Sequence, residues 1–128
     1  MRFLLDTHTF LWYLADDPKL SREAGAQLES LENELWLSVG SLLEMAIKVS
    51  TGKLRLEVPF TDLVERDVIG LGIGLLAISP EHLQRLSSLP FHHKDPFDRL
   101  LVAQALSEDL TLLSRDPALA AYGVPVRW

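Results

Sequence analysis

Short apolar runs alternate along this chain with segments in which apolar residues recur at helical spacing. The runs are brief enough to be buried strands, and turn-forming residues bound most of them. The predicted strands are 3–5, 35–37, 75–78, 111–113 and 125–126. The predicted helices, caps included, are 7–14, 21–31, 40–50, 61–69, 79–86 and 95–106, with a short helix opening at 117. This alternation predicts an α/β domain with a largely parallel sheet.

Turn and cap residues separate the predicted elements. Ser21 and Thr61 are predicted helix N-caps, and prolines open three further helices. The glycine-rich segment 70–74 lacks a complete dinucleotide-binding fingerprint and follows a helix, so we expect a turn there. No repeat, low-complexity stretch or linker interrupts the pattern, and we expect a single domain over residues 1–128.

The composition is that of a globular protein without thiol chemistry. The 128 residues are 48% hydrophobic and 23% charged, and none is cysteine. Disulfides, zinc–thiolate sites and thiol nucleophiles are therefore excluded. The 18 acidic residues outnumber the 12 basic ones, for a net charge of −6. This balance argues against coating nucleic acid by charge alone, but it leaves open an enzyme that cuts nucleic acid.

The sequence carries no signal for a membrane. The N-terminus reaches Asp6 after only three consecutive apolar residues, whereas a signal peptide has a longer apolar stretch and a small-residue cleavage site. A membrane-spanning helix needs about 18 or more apolar residues in a row, and no such run occurs. We therefore expect a cytoplasmic protein with no membrane partner.

Four carboxylates follow predicted strands or begin predicted helices. Asp6 and Asp116 follow the first and fourth strands, Glu44 lies early in the helix after the second strand, and Asp98 lies in the first turn of the helix that starts at 95. Because parallel sheets bind ligands outside the carboxyl ends of their strands, these residues are candidates for one site. Carboxylates without Cys or His partners suit Mg²⁺ or Mn²⁺, which activate water and neutralise phosphodiester charge.

Each of these acids also has a structural explanation. Asp6, Asp95 and Asp116 precede helices, where Asp is a favoured N-cap. An acid at Asp98 suits the positive end of the helix dipole. Glu44 stands among apolar residues, so it needs a partner or a metal unless its helix face is solvated.

Four segments of the chain surround the candidate acids. They are 3–8 (FLLDTH) with Leu11-Trp12, 38–48 (SVGSLLEMAIK) with Gly52-Lys53-Leu54, 92–105 (HHKDPFDRLLVAQA), and 112–116 (LLSRD) with Tyr122-Gly123-Val124. In this order, and over nearly the whole chain, they resemble the PIN domain, in particular the VapC-type ribonuclease toxins of bacterial toxin–antitoxin pairs. Leu43 departs from the many relatives that carry Trp there, which should alter packing and not chemistry.

The resemblance implies an α/β/α sandwich with a central, mostly parallel sheet. Matched one by one, Asp6, Glu44, Asp98 and Asp116 correspond to the family's four site acids. Asp6 and Asp98 would be direct ligands of Mg²⁺ or Mn²⁺, and Glu44 and Asp116 would act through water or at a second ion. Asp95 matches the motif as well, but a helix cap is the preferred interpretation.

The resemblance also implies an activity and partners. The expected protein is a metal-dependent endoribonuclease, the toxin of a toxin–antitoxin pair, in which metal-activated water hydrolyses RNA to leave a 5′-phosphate. A small antitoxin would cover a groove near the acids with its C-terminal segment, and the toxin would be a homodimer. Without the four site acids, 14 acidic residues would face 12 basic ones, so much of the negative charge belongs to the proposed metal site.

The sequence is also compatible with two other functions. One is a PIN-like module that binds a partner with little or no catalysis, and the other is a DNA-directed nuclease on the same site. Phosphatases with two aspartates two apart on the first strand would need Asp where this chain has His8, which counts against that chemistry.

Residues beside the acids have two interpretations each. Thr7 and Ser114 either cap helices or hydrogen-bond metal water or a ligating carboxylate. His92 and His93 are expected to be loop residues with no part in a hard-cation site. Three basic residues either steer phosphate or pair with carboxylates: Lys94, Arg99 and Arg115. Three more form either a rim for RNA or a solvated helix end: Lys48, Lys53 and Arg55. Four aromatic residues either stack on bases or, for most of them, pack in the core: Trp12, Trp36, Phe91 and Phe97.

Overall fold

Five parallel strands form one sheet in the computed structural model, which describes residues 1–128. The strands are β1 (Arg2–Leu5), β2 (Glu34–Ser38), β3 (Gly74–Leu76), β4 (Thr111–Leu113) and β5 (Val126–Arg127). Their order is β3-β2-β1-β4-β5, and every neighbouring pair is parallel. The chain starts in the middle of the sheet, extends it on one side, and then returns to extend the other. The direction of strand addition therefore reverses between β1 and β4, where open α/β sheets bind ligands.

Helices cover both faces of the sheet. They are α1 (Thr7–Leu14), α2 (Arg22–Glu29), α3 (Val39–Ser50), α4 (Phe60–Leu63), α5 (Pro80–Ser88) and α6 (Pro96–Glu108). Helix α4 continues as a π-helical turn over Val64–Val68 and a 3-10 turn over Ile69–Leu71. A short 3-10 helix spans Pro117–Tyr122. No helix combines the length and the apolar character that crossing a membrane requires.

Alternating side chains on the strands divide the interior into two cores. Phe3 and Leu5 of β1, with Leu113 of β4, pack in the core that α1, α2, α3 and α4 cover. Leu4 and Leu112, which point to the opposite face, pack in the core that α6 and the 3-10 helix cover. Because the central strands β1 and β4 are covered on both faces, their buried residues form continuous apolar runs, Phe3–Leu5 and Leu112–Leu113. The predicted α/β/α sandwich with a parallel sheet is confirmed.

Three of the predicted element ends were wrong for reasons that the structure explains. The second helix ends at Glu29, before Leu31, because the backbone becomes extended at residue 30 and leaves the Leu31 side chain fully exposed. The fourth helix begins at Phe60 rather than after a Thr61 cap, with a proline at its N-cap position. Strand β3 stops at Leu76 because its partner β2 ends at the residue paired with it, so residues 77–78 have no strand to bond.

Candidate metal centre

The carboxyl ends of β1 and β4 open into a polar cavity of about 410 Å³. Three of the four predicted acids line it: Asp6 from the end of β1, Asp98 from the first turn of α6, and Asp116 from just beyond β4. The remaining lining residues are His8, Thr9, Trp12, Arg115 and Pro117. The structure thus brings together residues that are 110 positions apart in the sequence, as the rule for parallel sheets predicts.

Asp6 is held by hydrogen bonds on both carboxylate oxygens. Its Oδ1 accepts the backbone N–H of His8 at 3.0 Å, which caps α1, and its Oδ2 accepts the Ser114 hydroxyl at 2.7 Å. Burial by itself would raise the pKa of Asp6, but the hydrogen bonds from the His8 side chain, Ser114 and the His8 backbone outweigh it and lower the pKa. Asp6 is therefore an ionised carboxylate although only 7% of its surface is exposed.

The pKa of Asp98 shifts in the opposite direction, upwards. Burial, followed by repulsion from Asp6 and Asp95, raises the pKa of Asp98 from 3.8 to about 7, although His93 opposes the rise. The acids of the cavity therefore repel one another when they are ionised. A bound cation would relieve this repulsion, and the oxygen donors present are those that Mg²⁺ and Mn²⁺ prefer.

Glu44 lies on α3 close to the cavity but does not line it. Only 5% of the residue is exposed, so a solvated helix face is the wrong interpretation. Its partner is Lys48 one turn later, whose Nζ lies 2.9 Å from Glu44 Oε2. The negative charge of Glu44 still contributes to raising the pKa of Asp98. Lys48 is partly buried and pairs with Glu44, whereas Lys53 and Arg55 are exposed.

Asp116 is bonded on two sides. Its Oδ1 accepts the backbone N–H of Ala118 at 3.0 Å and so caps the 3-10 helix, and its Oδ2 lies 3.0 Å from Nε2 of His93. The same Nε2 lies 3.5 Å from Oδ2 of Asp98. His93 is a loop residue, as expected, and its ring lies between two of the acids.

Arg99 has neither of the roles considered for it. Its guanidinium donates to the carbonyls of Pro90 at 2.8 Å and Leu89 at 3.3 Å, and to the Tyr122 hydroxyl at 3.2 Å. The ring of Phe91 lies 4.0 Å from the Arg99 guanidinium carbon, measured to the ring centroid. Arg99 is therefore buried within the fold and shapes the segment that precedes α6.

The other residues near the acids fall into three groups. Thr7 is buried and its hydroxyl donates to Ser41, so it joins α1 to α3 and contacts no site acid. Lys94 and His92 are exposed, and His92 lies against Tyr122. Arg115 lines the cavity, so phosphate steering remains open for it.

The four aromatic residues considered for base stacking lie in different surroundings. Trp36 packs against the core under α6, as the core interpretation predicted. Phe91 is 84% exposed and Phe97 is partly buried. Trp12 lines the acidic cavity, and its ring centroid lies 5.9 Å from both Lys19 Nζ and the Arg115 guanidinium carbon. Of the four, Trp12 is the one that lines the acidic cavity.

Comparison with known proteins agrees with this arrangement. The PIN domain family model matches residues 3–125, and the chain belongs to the PIN domain family. Ribonuclease VapC22 of Mycobacterium tuberculosis is 26% identical over 123 residues, which cover 95% of this chain and 92% of that protein. The resemblance found in the motifs is confirmed.

Two solved structures share the fold at low sequence identity. VapBC2 from Rickettsia felis, bound to a DNA fragment from its promoter, has a TM-score of 0.72 at 14% identity and covers 99% of this chain and 98% of its own. VapBC-1 from nontypeable Haemophilus influenzae has a TM-score of 0.68 at 15% identity, with coverage of 99% and 97%. Both matches extend over essentially the entire sandwich.

Proposed function

We propose that this protein is an Mg²⁺- or Mn²⁺-dependent endoribonuclease and the toxin of a toxin–antitoxin pair. The observation that carries the proposal is the convergence of Asp6, Asp98 and Asp116 on one cavity where β1 and β4 end. The similarity to a protein named as a ribonuclease supports RNA as the substrate.

The proposed roles of the acids follow from their surroundings. Asp6 and Asp98 would hold the cation directly, and Glu44 and Asp116 would act through water or at a second ion. When bound, the cation supplies charge neutralisation and a water of lowered pKa for attack on the phosphodiester. Asp6 is suited to this role because hydrogen bonds from His8 and Ser114 lower its pKa, whereas burial and the charges of Asp6 and Asp95 raise the pKa of Asp98 to about 7, so that a bound cation would favour its ionised form.

The mouth of the cavity is suited to an RNA strand. Arg115 can meet a phosphate there, and Trp12 offers a ring on which a base can stack. Water as the nucleophile would leave a 5′-phosphate on the product. These basic and aromatic side chains give the acidic protein a local surface for nucleic acid despite its net charge of −6.

A second, more apolar groove of about 460 Å³ lies beside the acidic cavity. Helix α1, residues 54–58, and α4 with the turn that follows it form this groove, and His8 and Trp12 line both spaces. We place the C-terminal segment of a small antitoxin in this groove, where it would also cover the acids. The VapBC complexes among the similar structures support such a partner, and we propose a homodimeric, cytoplasmic toxin.

The test is cleavage by purified protein free of antitoxin. Single-stranded RNA should be cut with Mg²⁺ or Mn²⁺ and left intact in EDTA, and Asp6→Asn or Asp98→Asn should reduce cleavage to background while circular dichroism shows an intact fold. Asp109→Asn, at an exposed position on the end of α6, is the matched control and should cleave normally. Equal cleavage by the two site variants would contradict the site assignment.

Two further measurements separate the alternatives. Preferential cleavage of single-stranded DNA over RNA of the same sequence would indicate a DNA-directed nuclease. Calorimetry that detects no binding of Mg²⁺ or Mn²⁺ would favour a partner-binding module.

A further inference from the structure

The segment that leads into α6 holds His93 in one place. Arg99, only 6% exposed, donates to the carbonyls of Pro90 and Leu89. The Tyr122 hydroxyl accepts the backbone N–H of His93 at 2.9 Å and also accepts from Arg99. The backbone before and at His93 is therefore tied to buried Arg99 and to partly buried Tyr122.

A second hydrogen bond determines which ring nitrogen carries the proton. The backbone N–H of Asp95 donates to Nδ1 of His93 at 3.1 Å. Because a backbone amide nitrogen only donates, Nδ1 must present a lone pair, and in the neutral ring the proton then lies on Nε2. That Nε2–H faces Asp116 Oδ2 at 3.0 Å and Asp98 Oδ2 at 3.5 Å.

Two roles are conceivable for an imidazole in this place. One nitrogen of His93 and one oxygen each of Asp98 and Asp116 lie within 4.8 Å of one another, a spacing that suits a shared cation. Coordination through Nε2 would require the proton to move to Nδ1, where it would oppose the N–H of Asp95. The hydrogen bond from Asp95 thus favours a ring that donates to the carboxylates over a ring that ligates metal.

We infer that His93 is a positioning residue of the acidic site, which donates from Nε2 to Asp116 and holds that carboxylate beside Asp98 without ligating the cation. This inference rests on the proposed function for the identity of the cation and adds a residue that the four-acid pattern does not contain. A carboxylate that binds metal is commonly oriented by a neighbouring donor, and loss of such a donor typically weakens metal binding 10- to 100-fold.

The protonated nitrogen can be observed directly. Long-range ¹H–¹⁵N spectra at one neutral pH, recorded without metal and with Mg²⁺, should show His93 protonated on Nε2 in both states. His82 is an internal reference, because Ser79 N–H donates to its Nδ1 at 3.1 Å and its Nε2 faces Glu108 at 2.8 Å. A His93 ring protonated on Nδ1 in either state would overturn the inference.

Variants test what the donor does. His93→Leu should weaken Mn²⁺ binding, measured by calorimetry, about tenfold or more, and His93→Gln should recover much of the loss because its amide is again an N–H donor. His92→Gln is the matched control, since the exposed neighbour contacts no carboxylate, and its affinity should be unchanged. Unchanged affinity in His93→Leu would overturn the inference.

Pulsed EPR of the Mn²⁺-loaded protein gives a third readout. The spectrum should lack a directly coordinated imidazole nitrogen, and a coupling that disappears in His93→Gln would identify His93 as a ligand and overturn its assignment as a donor. If the unaltered chain binds no Mn²⁺, the proposed function fails, while the metal-free nitrogen spectrum still decides whether His93 donates to the acids.

Discussion

Replacing Asp98 by Asn removes the carboxylate whose ionisation the site opposes most. The pKa of Asp98 rises from 3.8 to about 7 through burial and then through the charges of Asp6 and Asp95. At about 1.4 kcal/mol per pH unit this rise corresponds to about 4 kcal/mol. Because 22% of the side chain is exposed to screening solvent, we halve the figure and expect Asp98→Asn to stabilise the metal-free protein by about 2 kcal/mol at pH 8.

The direction in which stability changes with pH follows from the pKa of Asp98 in the unfolded and the folded chain. Unfolded Asp98 loses its proton near 3.8, whereas the folded group keeps it until about 7. The stabilising contribution of the protonated group is complete below the unfolded pKa and is lost as the pH rises through the folded pKa. The advantage of Asp98→Asn should therefore be greatest at pH 8 and nearly vanish by about pH 4.

Urea unfolding in EDTA at several pH values measures this difference, with Asp109→Asn as the matched control on the same helix. Asp109 is exposed and adopts the left-handed conformation that Asn also tolerates. Saturating Mg²⁺ should reverse the order at pH 8, because the cation binds the folded form of the unaltered chain more tightly. A free energy of unfolding for Asp98→Asn that is equal to or below that of the unaltered chain at pH 8 without metal would refute the reasoning.

Three further substitutions probe other parts of the site and its support. Ser114→Ala should lower the free energy of unfolding at neutral pH by about 1–3 kcal/mol, as measured by urea titration, because Asp6 loses a buried hydrogen bond. Since that hydrogen bond also lowers the pKa of Asp6, acid unfolding of the variant should begin at a higher pH. Lys48→Met should lower the melting temperature without metal and increase the rise on adding Mg²⁺, because Glu44 loses its partner; an unchanged rise would contradict this. Gly40→Ala should cost about 1–3 kcal/mol in urea unfolding, because its new Cβ would lie 2.5 Å from a leucine side-chain carbon of α6.

Local chemistry explains why most elements were predictable. A helix cap bonds within three residues of itself, and Ser21 accepts the N–H of Ala24 at 3.0 Å as the sequence predicted. Asp95 likewise accepts the N–H of Phe97 at 2.8 Å, which confirms its interpretation as a cap. Ends governed by pairing were less predictable, since the end of β3 depends on where the distant β2 stops.

The candidate site was predictable where a strand end or helix start carried the acid. The cap and site interpretations of Asp6 and Asp116 proved compatible, because one carboxylate oxygen bonds the helix start and the other lies within the site. Asp98 lines the same cavity from α6. Their function as metal ligands stays a prediction.

The sequence by itself determined the order of elements, the parallel sheet and the acids at its carboxyl edge, because these follow from local patterns and the geometry of α/β folds. Only the tertiary structure decided what His93, Arg99 and Lys48 do. Arg99 donates hydrogen bonds to main-chain carbonyls, and the His93 ring lies against Asp116, which is 23 residues away in the sequence. Such choices depend on which buried group lacks a partner in the packed protein, and residue spacing along the chain does not contain that information.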